Sequence, residues 1–152
     1  EVIGRPEKIR GTLLKSIYSK GVEDAVYSLL QLQNGVTGTL LVNWSDETYR
    51  KMATSLTIQG KKGKIICDAT EIKIFLKEPL VSEKLDKGWT IKYITEFAIP
   101  VNFYLRGEEY SAQIDHFVNC IINKKQAEYN TFEQALYTDK VIEMIVEDAK
   151  KS

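Results

Sequence analysis

Two periods divide the chain. From about residue 8 to residue 105 apolar and polar side chains mostly alternate, as half-buried strands require, because successive side chains point to opposite faces of a sheet. Val36, Leu40, Val42 and Trp44 fall on one face, with Thr37, Thr39 and Asn43 on the other. Leu56 and Ile58 oppose Ser55, Thr57 and Gln59 in the same way, and Ile72, Ile74 and Leu76 alternate with Glu71, Lys73, Phe75 and Lys77. Residues 79–88, PLVSEKLDKG, lose the alternation and predict a loop or excursion. Trp89 to Thr95 restores it, and Val101, Phe103 and Leu105 continue it after Pro100.

From Gly107 the period becomes helical. Tyr110, Ile114, Phe117, Val118 and Ile121 fall on one stripe at i, i+4, i+7, i+8 and i+11. Asn130 or Thr131 caps a second helix, with Glu133 or Gln134 three residues on in the capping-box position. Its buried side would use Phe132, Ala135, Leu136, Ile142, Ile145, Val146 and Ala149.

Turn chemistry fixes how the strands connect. Asn34-Gly35 is a strong hairpin signal, because both residues tolerate positive φ, and Gly60 to Gly63 and Asp68 to Thr70 join two further pairs. Successive hairpins build an antiparallel sheet, not the parallel sheet of a nucleotide-binding fold. The expectation is one α+β domain over residues 1–152. A large, predominantly antiparallel open sheet spans about 8–105, with the helices of about 107–150 packed on one face.

Composition narrows the function classes. At 152 residues the chain suits one domain burying roughly 70% of its unfolded surface. Its 21 basic and 21 acidic side chains balance, so no long-range field draws in nucleic acid or anionic lipid. Cys67 and Cys120 lie far apart without CxxC spacing, which suits structural thiols in a reducing, cytoplasmic setting. One histidine and two distant cysteines argue against a zinc site, and no apolar run approaches the ~18 residues that cross a bilayer. The opening EVIGRPEKIRG, without an initiating methionine, reads as the middle of a longer chain.

The stretch IQGKKGKII, residues 58–66, asks whether GKKGK cradles a phosphate. A P-loop needs G-x-x-x-x-G-K followed by Ser or Thr and a helix, so that amides and the helix N-terminus face the anion. Here Lys64 is followed by Ile65, Ile66 and Cys67, a strand, and the spacing is two residues short. A glycine-bounded hairpin turn with its lysines in solvent is the better reading. The fingerprint G-x-G-x-x-G is absent from the chain.

The order and spacing of several weak motifs together resemble one family. Gly4-x-Pro6 precedes a strand, Glu23-Asp24-Ala25 opens the next, Asn34-Gly35 is followed by Gly38 and Trp44, and Ile58-x-Gly60-x-x-Gly63 comes after. In the tail, Tyr110, Ile114, Phe117 and Ile121 mark one helix, and Ala135, Val141-Ile142-Glu143 and Ala149 mark the last. Over nearly its whole length the chain resembles the C-terminal domain of the Gfo/Idh/MocA oxidoreductases, in the flavour acting on sugars or sugar nucleotides. The resemblance implies an open sheet like that of the glyceraldehyde-3-phosphate dehydrogenase C-terminal domain. It also implies a partner Rossmann domain holding NAD or NADP, absent from this chain, and hydride transfer at a sugar carbon in the intact enzyme. The family's glycine fingerprint, Glu-Lys-Pro lysine and Asp-x-x-x-His segment belong upstream of Glu1, so no catalytic, cofactor-binding or metal-binding residue is expected here. His116 lies mid-helix and does not match the catalytic histidine.

The resemblance also suggests where substrate would be touched. Family members reach toward the sugar with the segment before the Ile-x-Gly strand, here Ser45 to Lys51, which makes Tyr49, Arg50 and Lys51 the first candidates. Arginine grips phosphate or carboxylate bidentately, and tyrosine offers a sugar both an apolar face and a hydroxyl. A solvated bend is the alternative. Tyr104 and Arg106, at the strand-to-helix junction, are the second candidates, against a helix entry pinned by Glu108 and Glu109. The hydroxyl-rich positions Thr37, Thr39, Asn43, Ser55, Thr57 and Gln59 suit packing against another sheet or subunit, an ordinary wet sheet face being the alternative, and the resemblance implies a homo-oligomer formed through the sheet.

Two functions from different classes follow. One is the substrate and assembly half of a nicotinamide-dependent sugar oxidoreductase, inactive alone. The other is a free-standing binding or scaffold module derived from that domain.

Overall fold

The structure, a computed structural model, describes residues 3–48, 52–98, 103 and 108–151, with backbone only at 108–109. Seven strands run in order: β1 (Pro6–Lys15), β2 (Ala25–Leu32), β3 (Thr37–Asn43), β4 (Leu56–Gln59), β5 (Gly63–Cys67), β6 (Glu71–Leu76) and β7 (Gly88–Tyr93). A 3-10 turn at Val81–Glu83 interrupts the β6–β7 connection. The helices are α1 (Ile94–Phe97), α2 (Glu108–Ile122) and α3 (Phe132–Ala149). Every strand pairing is antiparallel, so the α+β class read from the alternation and the hairpins is the one observed. The ladders form two sheets, β1-β2-β3 and β4-β5-β6-β7, in two compact units: Glu1–Thr48 with His116–Ser152, and Tyr49–Asp115.

In the first unit the register places Ile9, Leu30 and Gly38 in one cross-strand row and Leu14, Val26 and Val42 in another, all on one face. Helix α3 packs against β1. Tyr137 donates its hydroxyl to the Pro6 carbonyl at 2.9 Å, the Arg5 guanidinium lies 4.9 Å over the Tyr137 ring, and Asp148 reaches the Thr12 amide. Helix and strand therefore run the same way. Eleven helical residues span about 16 Å and six strand residues about 20 Å, so both ends can be held. Leu32 and Ile145 are buried on this side, each fully buried side chain of this size contributing roughly 1.5–3 kcal/mol.

A bulge makes the Asp148 contact possible. Gly11 and Thr12 together face Ser28, because the register jumps between Arg10↔Leu29 and Leu13↔Tyr27. Gly11 takes φ +61°, a conformation that β-carbons disfavour. The slip turns Thr12 inward, where its hydroxyl meets Ser28 Oγ at 2.8 Å and its amide donates to Asp148 Oδ2. Both hydroxyls are almost fully buried, which the pairing makes tolerable.

The hairpins depart from expectation in one detail. At the Asn34-Gly35 turn only Gly35 of the two adopts positive φ (+77°). Leu32 is hydrogen-bonded to both Gly35 and Val36, giving a three-residue loop in place of a two-residue Asn-Gly turn. The Gly60–Gly63 hairpin closes as predicted, Gly60 N donating to Gly63 O at 2.9 Å. A β-carbon on Gly63 would collide with the Phe75 carbonyl oxygen, so glycine is required by close approach and not by φ.

Three boundaries move. Ser55 lies outside β4. Thr95 lies in α1, not in a continuing strand, because the Tyr93 amide donates to Glu96 Oε1 at 2.7 Å and starts a helical turn. Residues 79–88 are less irregular than a plain loop, with Leu80 and Leu85 bridged in an antiparallel pair. The α3 cap is Thr131, with Gln134 completing the box.

Burial is thinner than the length predicts. Among the described residues Ile9, Ala25, Leu32 and Ile145 are the buried apolar ones. The α2 stripe forms as expected, yet all five of its apolar members are more than 40% exposed.

Candidate functional site

All five sequence-predicted substrate contacts, Tyr49, Arg50, Lys51, Tyr104 and Arg106, lie outside the described residues. What the structure describes is the approach to the first three. The chain leaves β3 through two consecutive side-chain-capped turns. Asn43 Oδ1 accepts from the Ser45 amide at 2.7 Å and from its hydroxyl at 2.5 Å. Asp46 Oδ1 then accepts from the Thr48 amide at 2.9 Å and its hydroxyl at 2.6 Å. These bonds hold the Asp46 carboxyl below the usual carboxylate range, the Thr48 hydroxyl being the larger cause and its amide the next. The lead-in to Tyr49 is therefore locally determined up to Thr48.

Asn or Asp followed two residues later by Ser or Thr is the signal for this turn, because the short side chain reproduces a backbone turn. It recurs at Asp68, which accepts from the Thr70 amide and hydroxyl, each at 2.7 Å, between β5 and β6. Asn43-Trp44-Ser45 is the first of these turns.

A third carboxylate organises the β1–β2 end of the first unit. Asp24 accepts the amides of Ile17 at 2.8 Å, Tyr18 at 2.7 Å and Ser19 at 2.8 Å. Its own backbone bonds Lys15 and Trp44, tying β1, β2 and the exit of β3 together. The Ile17 amide, then that of Ser19, holds the Asp24 carboxyl below its ordinary 3.8, against the opposing effect of burial at 5% exposure. The Glu23-Asp24-Ala25 signature thus has a structural cause. Sequence reasoning singled out the triplet without finding the three-amide clamp.

The GKKGK turn does not fit a dinucleotide pyrophosphate. Its Gly60 amide closes the hairpin, its Lys62 carbonyl accepts from Lys77 N at 2.9 Å, and a strand, not a helix N-terminus, follows it. His116 contacts Cys120 Sγ at 3.7 Å and tilts against Tyr129 with ring centroids 5.7 Å apart, a packing arrangement on α2. Among the described residues no group of three or more His, Cys, Asp or Glu converges on a metal position, and no helix is long and apolar enough to cross a membrane.

Comparison with known proteins places this fold. The model of the oxidoreductase-family C-terminal alpha/beta domain matches residues 4–152. Levoglucosan dehydrogenase, solved in complex with NADH and levoglucosan, superposes with TM-score 0.72 at 17% identity, over 99% of this chain and 44% of its own. The aldose-aldose oxidoreductase from Caulobacter crescentus, complexed with glycerol, gives TM-score 0.67 at 18% identity over 97% and 40%. The WlbA dehydrogenase from Bordetella pertussis, with NADH and UDP-GlcNAcA, gives 0.62 at 18% over 98% and 39%. The chain thus spans less than half the length of these neighbours, and the likeness is one of fold. No curated protein matched.

Proposed function

The chain belongs to the Gfo/Idh/MocA oxidoreductase family, as that family's C-terminal alpha/beta domain, and from this premise we propose that it is the substrate and assembly half of a nicotinamide-dependent oxidoreductase acting on a sugar or sugar nucleotide. The observation that carries this reading is the family match over residues 4–152. Structural neighbours solved with levoglucosan and with UDP-GlcNAcA support the substrate class, and those solved with NADH support the cofactor. NAD or NADP is held by a Rossmann domain outside these residues, and the neighbours solved with NADH or NAD+ support a nicotinamide cofactor for the whole protein. Residues 1–152 act as one such domain in the cytoplasm, with no catalytic group of their own.

Within this reading Tyr49, Arg50 and Lys51 contact the substrate, delivered by the capped turns at Asn43 and Asp46, and Tyr104 and Arg106 contribute from the second segment. Assembly uses the face of the first sheet opposite α3, where Leu13, Tyr27 and Leu41 form one exposed cross-strand row flanked by Leu29 and Thr39. The exposed apolar centre of this row supports a homo-oligomer contact through it.

The test is nicotinamide-linked turnover by the whole gene product on a panel of aldoses and nucleotide sugars. Activity is expected on one of these classes. Arg50→Ala should then raise KM at least tenfold, about 1.4 kcal/mol, with a smaller effect on kcat. Ligand binding by calorimetry without any nicotinamide turnover would sink the enzymatic reading in favour of a free-standing binding module.

A further inference from the structure

His116 and Cys120 stand four residues apart on α2, so consecutive turns carry them on one side of the helix. Cys120 Sγ lies 3.7 Å from His116 Nε2, within reach of a thiol hydrogen bond. The Tyr129 ring packs beside the imidazole, centroids 5.7 Å apart and planes tilted by 51°, and limits where that ring can turn. The turn bearing the thiol is closed: the Lys125 amide donates to the Cys120 carbonyl at 2.9 Å and the Lys124 amide to that of Ile121 at 3.2 Å. Sulfur and nitrogen are therefore held together by the fold.

Cys67 supplies an internal contrast. Its sulfur lies 3.7 Å from the Leu56 carbonyl oxygen, an acceptor that holds a thiol proton but does not take it away. An imidazole can do both. A neutral ring protonated at Nδ1 presents the Nε2 lone pair to the sulfur, which is the pairing of nucleophile and base that activates a thiol. Both cysteines are half-buried, so access alone predicts equal reactivity, and the difference in partner predicts that Cys120 is the faster.

We propose that Cys120 is a thiol-exchange site with His116 as its base, and that its reactants are small disulfides. The thiol proton passes to His116 Nε2 as Cys120 Sγ attacks one sulfur of the disulfide. The reactant's S–S bond breaks, a new one forms to Cys120, and the departing thiolate takes the proton from the imidazole. One disulfide is consumed for each one formed, so no further oxidant enters. The site uses none of the residues assigned to the sugar or nucleotide sugar, and its chemistry needs no nicotinamide.

The test mixes the whole gene product with hydroxyethyl disulfide, quenches with acid at intervals, and follows the peptides of Cys120 and Cys67 separately by mass spectrometry. Cys120 is expected to form its mixed disulfide at least about tenfold faster than Cys67 in the folded protein, and at a rate within about twofold of it in concentrated urea. His116→Gln, which keeps a polar side chain but no base, should bring Cys120 down to the rate of Cys67, with an unchanged urea midpoint. His116→Asn should do the same, and guards against a failure of the first variant to fold. Equal rates in the folded wild type, an advantage for Cys120 that survives in urea, or one that survives in both His116 variants would each overturn the proposal.

Discussion

The Thr12 amide donates to the Asp148 carboxylate at 2.9 Å, joining residues 136 apart in the chain. The bulge at Gly11 removes this amide from the strand ladder, and Thr12 is 1% exposed, so water cannot replace the acceptor. A buried donor deprived of its partner costs about 1–3 kcal/mol. Asp148→Ala is accordingly expected to lower stability by about 2 kcal/mol, and Asp148→Asn, which keeps an acceptor oxygen, by less than half of that. Urea midpoints of the two variants measure the difference. Equal losses would show that charge, and not the acceptor, holds α3 to β1.

The Asp24 clamp makes stability depend on acid. Its folded pKa lies below the ordinary 3.8, so the unfolded chain takes up the proton first as pH falls. The stabilisation is complete above that ordinary value and is lost as pH drops through the lower folded one. Asp24→Asn removes it at all pH values. The variant should therefore unfold well before the wild type at neutral pH, and the gap should narrow below 3.8. Urea midpoints measured from about pH 7 down to about pH 3 would test the sign, and a gap that widens in acid would refute the assignment.

What could be read from the sequence was local. Alternation located β3, β4, β6 and β7, and the cap of α3 was legible because Thr131 and Gln134 are three residues apart and bond each other's backbone. The turn from Tyr93 into α1 was not, since tyrosine is a poor cap signal and Ile91-x-Tyr93-x-Thr95 still alternates. The contact of Asp148 with Thr12 was invisible for another reason. It depends on a register slip in β1, and nothing near Asp148 in the sequence reports it. The proposed substrate contacts came from a resemblance, and the neighbouring Asn43 and Asp46 turns, which a simple two-residue spacing encodes, were overlooked.

Gly63 tests the distinction between conformational and steric need for glycine. Gly63→Ala drives a methyl into the Phe75 carbonyl, and that backbone is locked in the β5–β6 ladder. Overpacking of this kind costs about 1–3 kcal/mol, and the immovable neighbour puts this case near about 3 kcal/mol. Gly38→Ala, in a strand with nothing within 4 Å of the added carbon, should change stability by less than about 0.5 kcal/mol. Thermal midpoints of the pair decide it. A mild Gly63→Ala would mean that β5 and β6 can part locally.

The exposed row on the first sheet bears on assembly. Leu13, Tyr27 and Leu41 lie opposite one another, exposed at 51%, 41% and 63%, on the face away from α3. Contiguous apolar side chains on a flat sheet face favour burial against a second surface, and a copy of the same face supplies one with matching shape. Leu41→Glu would carry a charge into that contact with no cation opposite it, while an exposed position leaves the fold intact. Self-association measured by sedimentation is expected to weaken at least tenfold, about 1.4 kcal/mol, with an unchanged urea midpoint for the protomer. Thr39→Ala, beside the row, should leave the association constant within about twofold. A wild-type chain that sediments as a monomer at high micromolar concentration would remove the basis for assembly through this face, because the apolar row would then be stable in water by itself.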